Sequence, residues 1–163
     1  MKKILLISDT HGYIDEKIIK YASQVDEIWH AGDIGDISVS DKLKKIKPLR
    51  GVYGNIDDQK IRTEFPLHNR FMCEKVNVWI THIGGYPKRY NPKILEELKS
   101  NPPDLFICGH SHILKVINDK KLGLLHINPG AIGKYGLHSV RTMVQFEING
   151  KKIENLSIIE FKR

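Results

Sequence analysis

Ile4-Leu5-Leu6-Ile7-Ser8-Asp9-Thr10-His11 is a short apolar run that ends in an Asp-x-His triplet. An unbroken apolar run of this length predicts a strand buried on both faces, as in a parallel sheet. The same form recurs along the chain. Glu27-Ile28-Trp29 leads to Gly32-Asp33, and Leu49 to Tyr53 leads to Gly54-Asn55. Val78-Trp79-Ile80 leads to Thr81-His82, and Leu105 to Cys108 leads to Gly109-His110-Ser111-His112. Five predicted strands therefore each finish on a residue able to ligate a metal. The carboxyl ends of strands are where open α/β sheets bind their ligands.

The segments between these runs read as helices and further strands. Ile14, Ile18, Ile19 and Ala22 predict one helix, and Val39, Leu43 and Ile46 another. Asn91-Pro92 starts a third, because Asn can cap free N–H groups and Pro suits the first turn. Its apolar face is Ile94, Leu95 and Leu98. Phe71 to Lys75 and Val76 to Ile80 read as neighbouring strands. Ile113 to Ile117 and Leu122 to Ile127 read as a hairpin across Asn118-Asp119-Lys120. Thr142, Val144, Phe146 and Ile148 alternate with Arg141, Met143, Gln145 and Glu147, which predicts a half-buried strand. Asn149-Gly150 then predicts a tight hairpin turn. The expectation is one α/β domain over 1–163 whose second half supplies another sheet.

Composition narrows the classes. The 163 residues hold 26 Lys+Arg against 19 Asp+Glu, a formal +7, with eight His uncounted. At 40% hydrophobic and 28% charged the chain is ordinarily globular, not disordered. Two Cys exclude a disulfide framework, and Cys73 and Cys108 read as small buried apolar residues. No apolar stretch approaches the roughly 18 residues of a membrane span. The Ile4–Ile7 run is shorter than the usual signal-peptide core of about 7–15 residues. A cytoplasmic location is expected.

The residues at the strand ends form a chemically coherent set. Asp9, His11, Asp33, Asn55, His82, His110 and His112 offer four imidazoles, two carboxylates and one amide oxygen. Mixed N/O donors suit Mn, Fe, Zn, Co or Ni better than Mg or Ca. Seven donors exceed one tetrahedral site but fit two sites if a carboxylate bridges, and Asp33 is the natural bridge. Paired divalent ions about 3.5–4 Å apart suit in-line displacement at phosphorus and make hydroxide available near neutral pH. Two such ions less two Asp leave a formal +2 for a hydroxide and a phosphate oxyanion.

The set Asp9-x-His11, Gly32-Asp33, Gly54-Asn55-x-Asp57, Thr81-His82 and Gly109-His110-x-His112 resembles the calcineurin-like metallophosphoesterases. With the short chain and Asn128-Pro129-Gly130, it is similar to the small prokaryotic phosphodiesterases related to a retromer subunit of that fold. The resemblance implies a four-layer αββα sandwich of two mixed β-sheets flanked by helices. It implies one metal held by Asp9, His11, Asp33 and His112, and a second by Asp33, Asn55, His82 and His110. It implies Mn²⁺ first, with Ni, Co, Fe or Zn as alternatives, and hydrolysis of a small phosphate ester by metal-bound hydroxide. Asp33, Asn55 and His82 are then the catalytic set, with His82 positioning the phosphate. Two departures bear on the general acid: Ile56 stands where the superfamily often has His, and Ile83-Gly84 where close relatives have Gly-His. No general acid is assigned.

The remaining polar residues divide as follows. His30 is read equally as a ligand-orienting residue and as a hydrogen-bonded strand histidine. His126 and His138 flank Asn128-Pro129-Gly130 and are uncommitted, while His68 is read as surface. Asp57 is read as support for the Asn55 loop. Lys42, Lys44, Lys45 and Lys47 read as a solvated helix face. Lys88 and Arg89 read as surface charge, and Arg141 has the better case for meeting a substrate phosphate. Alternative functions are a phosphomonoesterase and a metal-free scaffold. Nucleic-acid binding is disfavoured, since no basic stripe is interleaved with aromatics.

Overall fold

The structure, a computed structural model, describes residues 1–163. In chain order the elements are β1 (Lys2–Ile7), α1 (Glu16–Ala22), β2 (Glu27–His30), α2 (Ile37–Lys44), β3 (Leu49–Gly51) and α3 (Gln59–Glu64). They continue with β4 (His68–Cys73), β5 (Val76–Thr81), β6 (Gly85–Tyr86), β7 (Arg89–Tyr90) and α4 (Pro92–Ser100). The chain closes with β8 (Leu105–Ile107), β9 (Lys115–Asp119), β10 (Leu124–Asn128), β11 (Val140–Asn149) and β12 (Lys152–Lys162).

Two mixed five-stranded sheets result, in the orders β12-β11-β1-β2-β3 and β4-β5-β8-β10-β9. In the first, β1, β2 and β3 run parallel, and β11 and β12 are added antiparallel. In the second, β5, β8 and β10 run parallel between antiparallel β4 and β9.

Three apolar clusters account for the layers. Alternation along β1 sends Ile4 and Leu6 to one face and Leu5 and Ile7 to the other. Ile4 and Leu6 join Trp29, Val78, Ile80, Ile107, Ile127 and Phe146 between the sheets. Leu5 and Ile7 join Ile18, Ala22, Val39, Leu43, Ile61 and Phe65, so α1, α2 and α3 cover the outer face of the first sheet. Trp79, Phe106 and Leu124 pack with Ile94 and Leu98 of α4 outside the second sheet. The order is helices, sheet, sheet, helix, the αββα sandwich expected. Asp15, Asp36, Asp58 and Asn91 cap the four helices through their side chains.

Several local expectations are corrected. The second half does not build only its own sheet, because the β11–β12 hairpin returns to pair β11 with β1. β11 is not half-buried: Arg141 and Met143 are buried along with Thr142, Val144, Phe146 and Ile148. It is an interior strand, and Met143 packs in the α1–α3 layer. α1 begins after Ile14, where Asp15 accepts the Ile18 N–H, and Ile46 lies beyond the end of α2. Ile113 and Leu114 precede β9. The short α3 and the β6–β7 hairpin were not anticipated.

Candidate metal centre

The carboxyl ends of β1, β2, β3, β5 and β8 meet at one end of the sandwich, and their loops hold one another. Asp9 N–H donates to Gly32 O at 2.9 Å, His11 N–H to Asp33 O at 3.0 Å and Gly12 N–H to Ile34 O at 2.8 Å. Gly109 N–H donates to His82 O at 3.0 Å, tying the ends of β5 and β8, and His110 N–H donates to Asp9 Oδ2 at 3.1 Å, which joins the two sheets at the site. Asp57 accepts from the N–H groups of Ile34, Gly35 and Gly54, tying the loop after β2 to the loop after β3. This is the supporting role expected for it.

Five of the seven strand-end residues have left-handed backbone: Asp9 (φ 54°), His11 (46°), Asp33 (55°), His110 (72°) and His112 (62°). Such conformations cost non-glycine residues of order 1–3 kcal/mol each and persist where surroundings over-determine them. The loop-to-loop hydrogen bonds supply that constraint. Glycines clear the space: a Cβ on Gly54 would overlap Asp33, and one on Gly109 would meet Ser8 Oγ and Asp9 Oδ2.

Donor atoms converge in two groups, Asp9 with His11 and His112, and Asp33 with His82 and His110. His112 Nε2 is 3.1 Å and His11 Nε2 3.6 Å from Asp9 Oδ1. Asp33 Oδ2 lies 3.1 Å from His82 Nε2 and 3.5 Å from His11 Nε2, between the groups. Asn55 Oδ1 is 3.0 Å from His110 Nδ1, which brings the amide to the second group. His82 Nδ1–H donates to Ala31 O at 2.7 Å, which turns Nε2 toward Asp33.

This donor set fits divalent cations. Asp9 Oδ1, His11 Nε2 and His82 Nε2 are buried and have no hydrogen-bond partner. Leaving such atoms unpaired costs about 1–3 kcal/mol apiece. All three face the same small space. Burial pushes the Asp9 carboxyl up, but His11, His112, His82 and Ser8 outweigh it and hold Asp9 well below the usual carboxylate range. Burial likewise opposes ionisation of Asp33, and His82 overrides it. Both aspartates are thus kept as carboxylates, the form that binds metal.

The remaining histidines are now placed. His30 is fully buried; Nδ1 accepts from Gly32 N–H at 3.1 Å, so Nε2–H donates to Thr10 Oγ1 at 3.0 Å. Thr10 donates onward to Ile34 O, so His30 is a hydrogen-bonded strand histidine that clamps the loops after β1 and β2 and bonds none of the candidate ligands. His126 is not at the site: it packs against Phe106 and Tyr90 in the α4 layer. His138 packs edge-on to His112, with ring centroids 5.1 Å apart, and contacts Gly133 O through Nε2. Tyr135 on the same loop stacks over His11 at 4.9 Å. His68 is exposed, as expected.

Arg141 does not meet a substrate phosphate. It is buried, donates to Ile132 O and Asp15 Oδ2, and lies over Tyr13 and Phe161. Two supports went unrecognised. Ser8 Oγ donates to Asp9 Oδ2, and Asn128 Nδ2 donates to Gly109 O and Ser111 Oγ, fixing the His110–His112 loop. Asn128 ends β10, a sixth parallel strand, and that position is the signal that could have found it.

Residues 1–151 match the calcineurin-like phosphoesterase superfamily domain. The chain belongs to that superfamily. A probable metallophosphoesterase of Methanothermobacter thermautotrophicus is 28% identical over 156 residues, covering 91% of this chain and 87% of the relative. Among solved structures, a novel archaeal phosphodiesterase superposes with a TM-score of 0.75 at 23% identity, over 96% of this chain and 99% of its own. Chaetomium thermophilum Vps29 superposes at 0.76 with 18% identity, over 99% and 97%. Calcineurin-like phosphoesterases generally bind divalent metals, and the two donor groups are candidate ligand sets for them. No helix of the chain is long and apolar enough to cross a membrane.

Proposed function

We propose that this calcineurin-like phosphoesterase is a phosphodiesterase acting on a small phosphate ester through two divalent ions, Mn first and Ni, Co, Fe or Zn as alternatives. Asp9, His11, Asp33 and His112 would hold one ion, and Asp33, Asn55, His82 and His110 the other. The observation that carries this reading is the place of Asp33 Oδ2, which faces a histidine of each donor group. When bound, paired ions polarise a phosphate ester and make hydroxide available near neutral pH.

The chain's own residues do the rest. Asp33 and Asp9 hold the donor groups together, and their charge leaves room for a phosphate oxyanion. His82, oriented by Ala31 O, and Asn55, on the loop tied by Asp57, position the ester. Hydrolysis forms one P–O bond from water and breaks the ester P–O bond, and the leaving oxygen takes a proton. Ile56 and Gly84 cannot give that proton, so esters with acidic leaving groups should react fastest, general-acid help being worth about 10²–10⁴-fold. Free buried Cys73 and Cys108 accord with a cytoplasmic location.

The test crosses Mn, Ni, Co, Zn and Mg with aryl monoesters, aryl diesters and cyclic nucleotides. Diester turnover exceeding monoester turnover in at least one metal is expected; the reverse ratio in every metal would make the chain a phosphomonoesterase. Asp33→Ala should lose both ions by metal analysis and lower turnover more than about 100-fold, since even outer-shell changes cost 10–100-fold. A variant that loses turnover but keeps both ions would remove Asp33 from the bridge.

A further inference from the structure

We infer that the site takes an ester carrying a second anionic group, and that Arg89, Lys93 and Lys115 receive it. This rests on the phosphodiesterase reading and names a substrate class for it. A cavity of about 520 Å³ opens beside the metal centre, with His110 in its wall. Arg89, Lys93 and Lys115 line it, and no carboxylate does. None of the three is in an ion pair, so all three charges are open to a ligand that enters the cavity. A second cavity of about 310 Å³, lined by Asn55 and His82, shares Ile83, Asn91 and Lys93 with the first. The two cavities adjoin, which sets the cations next to the donor groups.

The β6–β7 hairpin is the device that builds the wall. It follows directly on the strand end that presents His82. Its pairing sets Tyr86 opposite Arg89, so both side chains share one face. Lys115, from the edge strand β9 of the second sheet, lies 4.6 Å over the Tyr86 ring, which holds its ammonium at the cavity. Lys88 takes the left-handed φ of 75° that the tight turn requires.

Charge accounting gives these cations their meaning. Two divalent ions less Asp9 and Asp33 leave a formal +2, which one hydroxide and one diester phosphate already balance. A simple diester leaves the three extra cations without a partner. A diester one of whose alcohols bears a further phosphate supplies it.

The experiment compares a dinucleoside monophosphate with and without a 5′-terminal phosphate, in native protein and in Arg89→Ala/Lys115→Ala. The native ratio of kcat/KM should favour the phosphorylated ester by roughly tenfold at low salt, about what one exposed charge contact supplies, and shrink as salt rises. In the double variant, which keeps Lys93, it should fall clearly below the native ratio. A native ratio near one, or a ratio the double variant leaves unchanged, overturns the inference. A readout without turnover accompanies it: inorganic pyrophosphate is titrated in EDTA and backbone amide shifts are followed. Saturable shifts at Arg89 and Lys115 that weaken about tenfold in the double variant support the anion site, and their absence overturns it. If neither ester is cleaved while pyrophosphate binds there, the phosphodiesterase reading fails and the anion site stands.

Discussion

Asn128 has the most to say at the scale of single residues. Its amide joins the end of β10 to Gly109 and Ser111, so it sets the loop from which His110 and His112 project. Asn128→Ala should cost about 1–3 kcal/mol, because the buried Gly130 N–H loses its acceptor, Asn128 Oδ1. It should also weaken metal affinity by about 10–100-fold, as outer-shell losses do. Denaturant melts and metal titration check the two effects separately, and unchanged affinity would reduce Asn128 to a packing residue. Gly54→Ala probes the same site from the other sheet. Gly54 has no left-handed backbone to lose, so the clash with Asp33 is the whole effect. The expected outcome is a folded protein, by circular dichroism, that binds less than two ions. Full occupancy would mean that Asp33 can move aside.

At the scale of elements, the Asn149-Gly150 turn between β11 and β12 offers a clean contrast. Gly150 has φ 63°, and an added Cβ would meet nothing within 4 Å. Gly150→Ala should therefore cost about 1–2 kcal/mol through backbone conformation alone, leaving metal binding unchanged. Gly150→Asn should cost less, because Asn tolerates that region; equal costs would point to a steric cause. The strands that end in ligands were legible because β1, β2, β5 and β8 are apolar runs buried on both sides. α3 was not, because a six-residue helix with only Ile61 buried has no periodicity to read. The β6–β7 hairpin has two residues per strand and escapes any pattern. Alternation in β11 misled because an interior strand under a helical layer hides both faces. Arg141 misled for a different reason: its carboxylate partner, Asp15, lies 126 positions away. The candidate ligand residues stood out in the sequence since each comes at the end of an apolar run. Asn128 ends an apolar run too, but it was read as part of Asn128-Pro129-Gly130 and not as a strand end.

At the scale of the whole molecule, acid sensitivity comes from buried neutral imidazoles. Burial pushes His126 down to about 4, and neither ring nitrogen has a hydrogen-bond partner. Burial also takes His30 to about 4. In the unfolded chain such groups titrate near 6.5, so between pH 6.5 and 4 the unfolded state binds more protons. Stability from these groups is complete above pH 6.5 and falls as pH drops toward 4, by up to about 1.4 kcal/mol per pH unit per histidine. His126→Leu should flatten that slope by about one proton, read from denaturant melts at pH 7.5, 6 and 5. A slope unchanged from native would show that His126 is already charged in the fold. The left-handed strand ends carry a consequence of another kind. Asp and His, with Asn, are the non-glycine residues that best tolerate that backbone, and they are also the short side chains with ligating atoms. Backbone shape and coordination chemistry therefore draw on one small alphabet at Asp9, His11, Asp33, His110 and His112. A long or β-branched ligand at any of these positions would meet two objections at once. Retuning this centre for another metal is thus restricted to exchanges within Asp, Asn and His.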